Sequence, residues 1–404
     1  MFYKILQNKK NWLLSFLLLS IFSNQSVCSQ KDSDIYKARL VSSEISYPKW
    51  IIYSVGNQGW WDENWEYRVP VILYNDENVW LHNIPVNIPF DIQEKVDLNS
   101  IRIVNQVGDV IPHQISKGEK GYSILFLGDV PANSWRPYYI YLGNSKINVF
   151  EKKSMIEDRD NKGWVIKTGT LTAKMTKYGN YDGILYYLGN ESLNFLHPAY
   201  LSLSGIGSWT GFLRGEIVEE GPLRVKLRYK STTNEKEMIE LEFYKDAPYV
   251  KCKGSKLVFN IDLFTGESPT SLSFISSEKE ENYLMDHSAY DYSGALKTLK
   301  LENISSDWIN FQGNKGSIGF IFNRSKVSIG INQNYNGQFI TFSPKQPDKI
   351  IEVIICLNSQ TSNYAKRFAS SVKFIVMNLQ NKSDFLSTRK FELFCKFITI
   401  NFTE

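Results

Sequence analysis

Hydrophobic and polar side chains alternate along much of this chain with a period of two. In the clearest segment, apolar residues alternate with cations in the order Leu223, Arg224, Val225, Lys226, Leu227, Arg228, Tyr229, Lys230. This alternation places the apolar side chains on one face of a β-strand and the cations on the other. The same period recurs in residues 69–73, 171–175, 239–243, 318–322 and 327–331. Each of these segments is therefore predicted to be a half-buried strand.

Turn-forming residues separate the predicted strands at hairpin intervals. Asn75-Asp76, Asp182-Gly183 and Gly313-Asn314 are examples, and such pairs favour the backbone conformations of tight turns. The chain also contains 23 Tyr and 24 Phe, which suit pleated, half-buried surfaces. Only residues 361–376 show a weak helical period. We therefore predict an all-β fold, with a small β-barrel or sandwich domain followed by a large antiparallel β-sandwich.

Changes in composition divide the chain into six segments. The charged run Glu151–Lys162 follows the aromatic strand Tyr138–Leu142 and marks the main boundary. The roughly 375 residues after the leader are more than one core usually uses, so two domains, or a large sandwich with an appendage, are expected. The predicted segments are a signal peptide (1–29), an irregular lead-in (30–58), a small β domain (59–145), a linker (146–162), a large β-sandwich (163–380) and a tail or last strand (381–404).

The first 29 residues have the order of a secretory signal peptide. Three lysines precede an apolar core, Trp12–Phe22, and a polar stretch with small residues, Ser26–Ser29, follows it. The core is too short to cross a bilayer, so we expect cleavage after Ser29 and a secreted or periplasmic protein. The alternative is a lipoprotein anchored to the membrane through acylated Cys28, although Val27 departs from the small residue usual before such a cysteine.

Charge and cysteine content exclude two further classes of protein. The formal net charge is +4, and the three lysines of the leader account for most of it. A nearly neutral body argues against nucleic acid as a partner. Apart from Cys28, the cysteines are Cys252, Cys356 and Cys395, an odd number without metal-ligand spacing. One disulfide is compatible with this count, but a disulfide framework is not.

Short motifs in the first two thirds of the chain resemble those of a known group of enzymes. The first set is Trp65–Val71, Asn83–Val86, Asp109–Gln114, Val130–Ser134 and Tyr138–Tyr141. This set resembles the small barrel domain that opens exo-type rhamnogalacturonan lyases and related secreted polysaccharide-degrading proteins. The second set, Lys167–Leu171, Glu219–Arg224 and Lys315–Phe320, is similar to the central sandwich of the same proteins.

The resemblance implies an exported protein that acts on uronic-acid-containing, pectin-like glycans, with a polysaccharide or oligosaccharide as its partner. In that family a helical toroid follows the sandwich and completes the catalytic cleft. The present sequence has no counterpart of the toroid, so a separate catalytic chain is a further expected partner.

Two groups of residues are candidates for catalysis. Elimination from a uronate requires a cation beside the carboxylate, a base for the proton and an acid for the leaving oxygen. His287, Tyr290 and Tyr292 lie together in a stretch rich in loop-forming residues, and His197 with Arg214 is the second candidate group. The alternative interpretation of the first group is an ordinary hairpin loop with aromatic residues at its surface.

Carbohydrate binding requires fewer specifically placed groups than catalysis does. Sugar rings stack on aromatic planes, while their hydroxyl groups form hydrogen bonds with Asp, Asn, Gln or Arg. Trp61 with Asp62, and Trp209 in a glycine-flanked loop, fit this pattern. Arg224 follows a Gly-Pro turn and is a further candidate contact. A solvated face explains the cations of its strand equally well.

Metal binding has one weak sequence signal, and no cofactor is expected. The run Glu157–Asn161 offers oxygen ligands of the kind that calcium takes, although such a run also suits a solvated linker. Three hypotheses follow: a carbohydrate-active protein like the toroid-less part of a polysaccharide lyase, a non-catalytic glycan-binding surface module, and a structural β protein or truncated remnant.

Overall fold

The computed structural model describes most of the region between Gly59 and Leu357 and a few strands outside it. The described residues are 36–37, 59–76, 78–92, 97–118, 121–143, 153–180, 183–189, 200–202, 213–232, 237–261, 271–276, 279–284, 297–299, 304–313, 316–334, 337–357, 372–377, 380–381 and 395–400. The predicted signal peptide and Cys28 lie outside them. Within this part of the chain, no helix is long and apolar enough to cross a membrane.

The described elements are β-strands, with one short 3-10 helix at Leu98–Ser100. The first twelve strands are β1 (Tyr36–Lys37), β2 (Tyr67–Asn75), β3 (Leu81–Ile92), β4 (Arg102–Asn105), β5 (Val110–Ile111), β6 (His113–Gly118), β7 (Gly121–Val130), β8 (Ser134–Leu142), β9 (Ile156–Arg159), β10 (Gly163–Lys167), β11 (Thr172–Asn180) and β12 (Gly183–Gly189). The next nine are β13 (Tyr200–Ser202), β14 (Leu213–Glu219), β15 (Arg224–Ser231), β16 (Met238–Tyr244), β17 (Tyr249–Gly254), β18 (Leu257–Ile261), β19 (Ser271–Ser276), β20 (Lys279–Leu284) and β21 (Lys297–Leu299). The last eight are β22 (Trp308–Gly313), β23 (Gly316–Phe322), β24 (Val327–Asn334), β25 (Gly337–Pro344), β26 (Ile351–Leu357), β27 (Val372–Met377), β28 (Gln380–Asn381) and β29 (Cys395–Ile400).

Two antiparallel sheets form the small domain. The outer sheet has seven strands in the order β29-β27-β2-β8-β4-β5, with β28 also paired to β2. The middle sheet has four strands in the order β1-β3-β7-β6. Val71 and Ile140 of the outer sheet pack against Val86 and Phe126 of the middle sheet in one apolar cluster. Alternating apolar residues in both sheets therefore build the first core of the molecule.

Strands from the end of the described chain complete the outer sheet. Residues Val372–Met377 pair antiparallel with β2, and Cys395–Ile400 pair with them in turn. The helix that the weak period over residues 361–376 predicts is therefore wrong for residues 372–376, which form a strand. Pairing with a distant strand outweighs the local pattern there. The predicted domain division stays a prediction, and this pairing crosses its boundary at residue 380.

A larger pair of sheets forms the second core. The large sheet has thirteen strands in the order β20-β19-β22-β23-β26-β17-β16-β15-β14-β11-β10-β9, with β12 also paired to β11. The cover sheet has five strands in the order β13-β18-β25-β24-β21. Phe259 and Phe342 of the cover sheet contact Phe320 of the large sheet, with ring centroids 5.0 and 5.5 Å away. The apolar face of β15 points into this core through Val225, Leu227 and Tyr229.

A third apolar cluster joins the two pairs of sheets. Leu125 of the middle sheet belongs to a buried cluster with Leu223, Tyr244, Tyr249 and Ile354 of the large sheet or its adjoining turns. The middle sheet thus packs on the outer sheet with one face and on the large sheet with the other. The all-β prediction is confirmed, and the sheets stack as four layers with three cores.

Candidate functional site

The tryptophan-rich segment Trp60–Trp65 forms a fixed turn at the beginning of β2. Asp62 Oδ1 accepts hydrogen bonds from the backbone N and the side-chain Nδ2 of Asn64, both at 2.8 Å. The backbone N of Trp65 donates to the Asp62 carbonyl at 3.3 Å. An aspartate that binds the backbone two residues later is a common turn-forming arrangement. The predicted binding residue Asp62 therefore shapes this turn and presents a carboxylate and an amide side by side.

Two of the three tryptophans in the turn anchor it to the small domain. Trp65 is only 5% exposed, and its Nε1 donates to the Ser100 carbonyl at 3.1 Å. Trp60 Nε1 donates to the Trp65 carbonyl at 3.0 Å. Indole N–H groups that lose water on burial need such acceptors. These two rings therefore have structural roles, which residue type and spacing alone did not reveal.

A buried arginine lies beneath the turn. Arg68 is fully buried, and its Nη1 donates to the Gly59 carbonyl at 2.9 Å. Its guanidinium carbon lies 4.8 Å from the ring centre of Trp60 and 5.2 Å from that of Tyr139. Ring faces attract a cation and offset part of its lost hydration. The same burial raises the pKa of Tyr139 well above its usual value, so the phenol stays neutral.

Trp61 is half-buried and keeps part of its indole accessible. Its ring centre lies 5.0 Å from that of Trp65 and 5.5 Å from that of Tyr141, and its backbone N donates to the Tyr141 hydroxyl at 2.9 Å. A Cβ added to Gly108 would lie 3.5 Å from Trp61 Cδ1, so that turn also packs on the ring. The structure thus provides an indole held in one orientation beside the Asp62 carboxylate.

Sequence reasoning missed a second tryptophan at the surface of the small domain. Trp80 directly precedes β3 and is 47% exposed. Its ring stacks on that of His82 with centres 4.7 Å apart and planes 16° from parallel. The signal in the sequence was a Trp and a His two residues apart after the polar loop that begins at Asn75. Two residues at that spacing in a strand share one face.

The candidate Arg224 lies at the junction of the two domains. Its Nη2 lies 2.7 Å from Glu219 Oε2, and only 9% of its side chain is exposed. Gln114 of the middle sheet accepts from the backbone N of Arg224 at 2.9 Å and from that of Leu223 at 3.0 Å. Burial alone would lower the pKa of Arg224, but nearby Tyr244, Glu219 and Glu242 raise it overall. The structure gives Arg224 internal partners, and its role in ligand binding stays a prediction.

The other cations of β15 also face carboxylates. Lys226 Nζ lies 2.7 Å from Glu242 Oε1, and Arg228 Nη2 lies 2.6 Å from Glu240 Oε1. Although burial alone would raise the pKa of Glu242, the ammonium groups of Lys226, Lys251 and Lys253 lower it to about 2. Opposite charges directly across neighbouring strands stabilise a sheet. The cationic row is thus part of a charge ladder on the face of the large sheet opposite the cover sheet.

A cavity of about 270 Å³ lies at one edge of this ladder, with Lys253, Lys326 and Glu352 among its lining residues. Two of its charged residues, Lys253 and Glu352, already pair with each other. Glu352 Oε2 lies 3.1 Å from Lys253 Nζ, and its Oε1 lies 3.2 Å from Lys251 Nζ. None of the predicted site residues that the structure describes lines the cavity.

Most of the predicted catalytic residues cannot be placed in the structure. His197, Trp209, His287, Tyr290 and Tyr292 lie outside the described residues. Arg214 is described, and it is an exposed residue of β14 opposite Tyr178 and Lys230. The grouping of Arg214 with His197 therefore stays a prediction.

The charged run at residues 157–161 is engaged within the protein. Glu157 Oε2 lies 2.8 Å from Lys167 Nζ, and Asp160 Oδ1 accepts from the backbone N of Lys162 at 2.7 Å and of Gly163 at 2.6 Å. No group of three or more His, Cys, Asp or Glu side chains in the described part of the chain is arranged to hold a metal ion. Calcium binding at this run stays a prediction.

No protein-family model matches the chain, and no curated protein matches it. Among solved structures, it is similar to an alpha-mannosidase from Enterococcus faecalis, with 8% identity and a TM-score of 0.47 over 80% of this chain and 52% of that one. It is also similar to a glycosyl hydrolase family 38 protein from the same organism, with 7% identity and a TM-score of 0.45 over 80% of this chain and 54% of that one. A third similar structure is a glycoside hydrolase family 81 protein from Clostridium thermocellum, with 12% identity and a TM-score of 0.29 over 55% of this chain and 29% of that one.

The chain spans about half the length of the two Enterococcus faecalis proteins. With identities between 7% and 12% and TM-scores below 0.5, these likenesses carry no argument about what this chain binds or catalyses. Functional conclusions rest on its own residues.

Proposed function

We propose that this protein is an exported, carbohydrate-active protein that binds polysaccharide through its small β domain. The observation that carries the proposal is the half-buried Trp61 beside the Asp62–Asn64 pair. Sugar rings have an apolar face that stacks on an indole, and hydroxyl groups that bond to carboxylates and amides. Both kinds of group are present here within a single turn.

The rigidity of the turn supports the same proposal. Trp65 and Tyr141 both contact the Trp61 ring, and the hydrogen bond from the Trp61 backbone N to the Tyr141 hydroxyl fixes its position. A ring that is already ordered loses little side-chain freedom when a ligand stacks on it. A fixed indole is therefore better suited to weak, repeated contacts along a polymer than a mobile one.

Affinity electrophoresis tests the proposal directly. Gels containing polygalacturonic acid, pectic galactan or hydroxyethylcellulose are compared with glycan-free gels. The unmodified protein is expected to migrate slowly in at least one glycan gel, and Trp61→Ala to lower the apparent affinity roughly tenfold. Tyr178→Ala removes an aromatic residue that is 48% exposed on the large sheet and serves as the matched control. Unretarded migration of the unmodified protein in every gel would refute the proposal.

The finer form of the proposal is a lyase-type action on uronic-acid-containing, pectin-like glycans. It is supported by the sequence motifs that resemble rhamnogalacturonan lyases, and it assigns catalysis to His287, Tyr290, Tyr292, His197 and Arg214, with or without a separate catalytic chain. A lyase product contains a new double bond, which absorbs near 235 nm. Flat absorbance across pectic substrates, with retention in the gels, would favour the non-catalytic binding module.

A further inference from the structure

A second aromatic surface of the small domain lies far from Trp61. Trp61 precedes β2 and Trp80 follows it, so a strand of nine residues, roughly 30 Å at about 3.3 Å per residue, separates them. Trp80 is nearly half exposed, and His82 covers one face of its ring. The accessible part of the indole is therefore its opposite face and its edge.

The backbone holds this stacked pair in an unusual conformation. The pairing of β3 with β7 shifts register between Leu81 and Ile84, and Asn83 within the shift has a positive φ of 51°. Non-glycine residues adopt such a φ infrequently, and bulges of this kind redirect neighbouring side chains. The bulge directs Trp80 and His82 outward at the beginning of the strand.

A carboxylate fixes the other side of the pair. Asp129 Oδ1 accepts from the backbone N of Asn83 at 2.9 Å and lies 3.6 Å from His82 Nδ1. The hydroxyl of Tyr138 in turn accepts from the backbone N of Asp129 at 2.8 Å. The imidazole and the carboxylate are therefore held beside the indole, and both remain substantially exposed.

The surroundings of Trp80 indicate the size and chemistry of its ligand. Asp76, Asn78, His82 and Asn83, which are near Trp80 in the sequence, are all polar and exposed. One apolar ring inside a polar rim is much smaller than the roughly 1,000 Å² that a stable protein interface buries. It matches a single pyranose ring, whose apolar face stacks on the open face of the indole, while His82, held by Asp129, supports the other face.

We propose that Trp80, His82 and Asp129 form a second sugar-binding platform, which stacks one pyranose residue of a glycan. This inference rests on the proposed function for the chemical class of the ligand, but it uses none of the residues of the Trp61 turn. The two platforms lie near opposite ends of β2.

Fluorine NMR of the full chain labelled with 5-fluorotryptophan tests the platform. The chain has 10 tryptophans, and Trp80→Phe and Trp61→Phe identify the two signals. The labelled protein is titrated with oligomers of galacturonic acid, of β-1,4-galactose and of β-1,4-glucose. A saturable shift of the Trp80 signal is expected with at least one of them. Trp80→Ala is expected to lower the affinity roughly fivefold to tenfold, and Tyr178→Ala to leave it unchanged.

The outcomes separate this inference from the proposed function. Movement of the Trp61 signal without the Trp80 signal would overturn the second platform and leave the proposed function standing. Movement of the Trp80 signal alone would support the platform and remove Trp61 as the glycan contact. If neither signal moves with any of the three oligomers, both proposals fail. The fold of each variant is checked by its thermal unfolding, since Trp80 and Tyr178 are exposed and their loss is expected to change stability little.

Discussion

The charged face of the large sheet and the aromatic turn of the small domain differ in whether their side chains stay available to a ligand. Each cation of β15 has a carboxylate between 2.6 and 3.6 Å away, so its charge is already neutralised inside the molecule. Trp61, in contrast, keeps part of its ring accessible although its neighbours hold it in place. Internal partners thus make the first region structural, and the accessible ring makes the second a binding candidate.

The largest expected effect concerns Arg224, whose guanidinium is nearly buried against Glu219. Arg224→Ala leaves the Glu219 carboxylate in a poorly hydrated position without its partner, and we expect it to lower the free energy of unfolding by about 3 to 5 kcal/mol. Urea unfolding followed by circular dichroism measures this loss. A stable Arg224→Ala variant that no longer binds glycan would reverse the comparison and make Arg224 a ligand contact.

The charge ladder also predicts a loss of stability in acid. The pKa of Glu242 is about 2 in the folded protein, against an ordinary value of 4.5. Its stabilising contribution is therefore complete above about pH 4.5 and is lost as the pH falls towards 2, by up to about 3 kcal/mol. Urea unfolding at several pH values between 5 and 2 measures the slope. Glu242→Gln should flatten that slope, and an unchanged slope would show that Glu242 is not its source.

The side-chain amide of Gln114 bridges the middle sheet and the large sheet. Gln114 Oε1 accepts from two backbone N–H groups of the large domain, and its Nε2 donates to the Arg224 carbonyl at 3.1 Å. Gln114→Ala leaves these buried groups without a partner and is expected to cost about 2 kcal/mol. Gln114→Glu keeps the acceptor but places a second carboxylate against Glu219 Oε1, which lies 2.5 Å from Gln114 Nε2, so it should cost more than Gln114→Ala. Differential scanning calorimetry of the three proteins gives this order.

The smallest effect is expected at the exposed end of the ladder. Lys230 Nζ lies 3.6 Å from Glu216 Oε1, and about half of each side chain is exposed. Water and salt screen such a pair, so Lys230→Ala should change the free energy of unfolding by less than about 0.5 kcal/mol. A loss comparable to that of Arg224→Ala would show that burial does not decide which ion pairs stabilise this face.

Local alternation was sufficient to predict the strands but not their neighbours. Val225, Leu227 and Tyr229 mark the inner face of β15 because a core lies on that side only, and the structure confirms the pattern. The return of residues 372–377 to β2 could not be predicted in this way, because pairing between distant strands leaves no periodic signal in either one.

The candidate sites show the same limit. The Asp109–Gln114 and Glu219–Arg224 motifs were noticed for a resemblance, and the structure shows that they meet at the domain junction through Gln114. That contact joins residues more than one hundred positions apart. Trp61 is predicted as a binding residue because it lies in a polar loop. The same argument holds for Trp80, which the sequence reasoning missed. Which ring keeps an accessible face depends on packing that composition does not encode.

One comparison on a single glycan gel tests the central claim, which is that the tryptophans of the small domain bind polysaccharide. The samples are the unmodified protein, the double variant Trp61→Ala with Trp80→Ala, and Arg228→Gln from the charged face. We predict that the double variant migrates as in a glycan-free gel, while Arg228→Gln is retarded like the unmodified protein. Full retardation of the double variant, or loss of retardation in Arg228→Gln alone, would contradict the account.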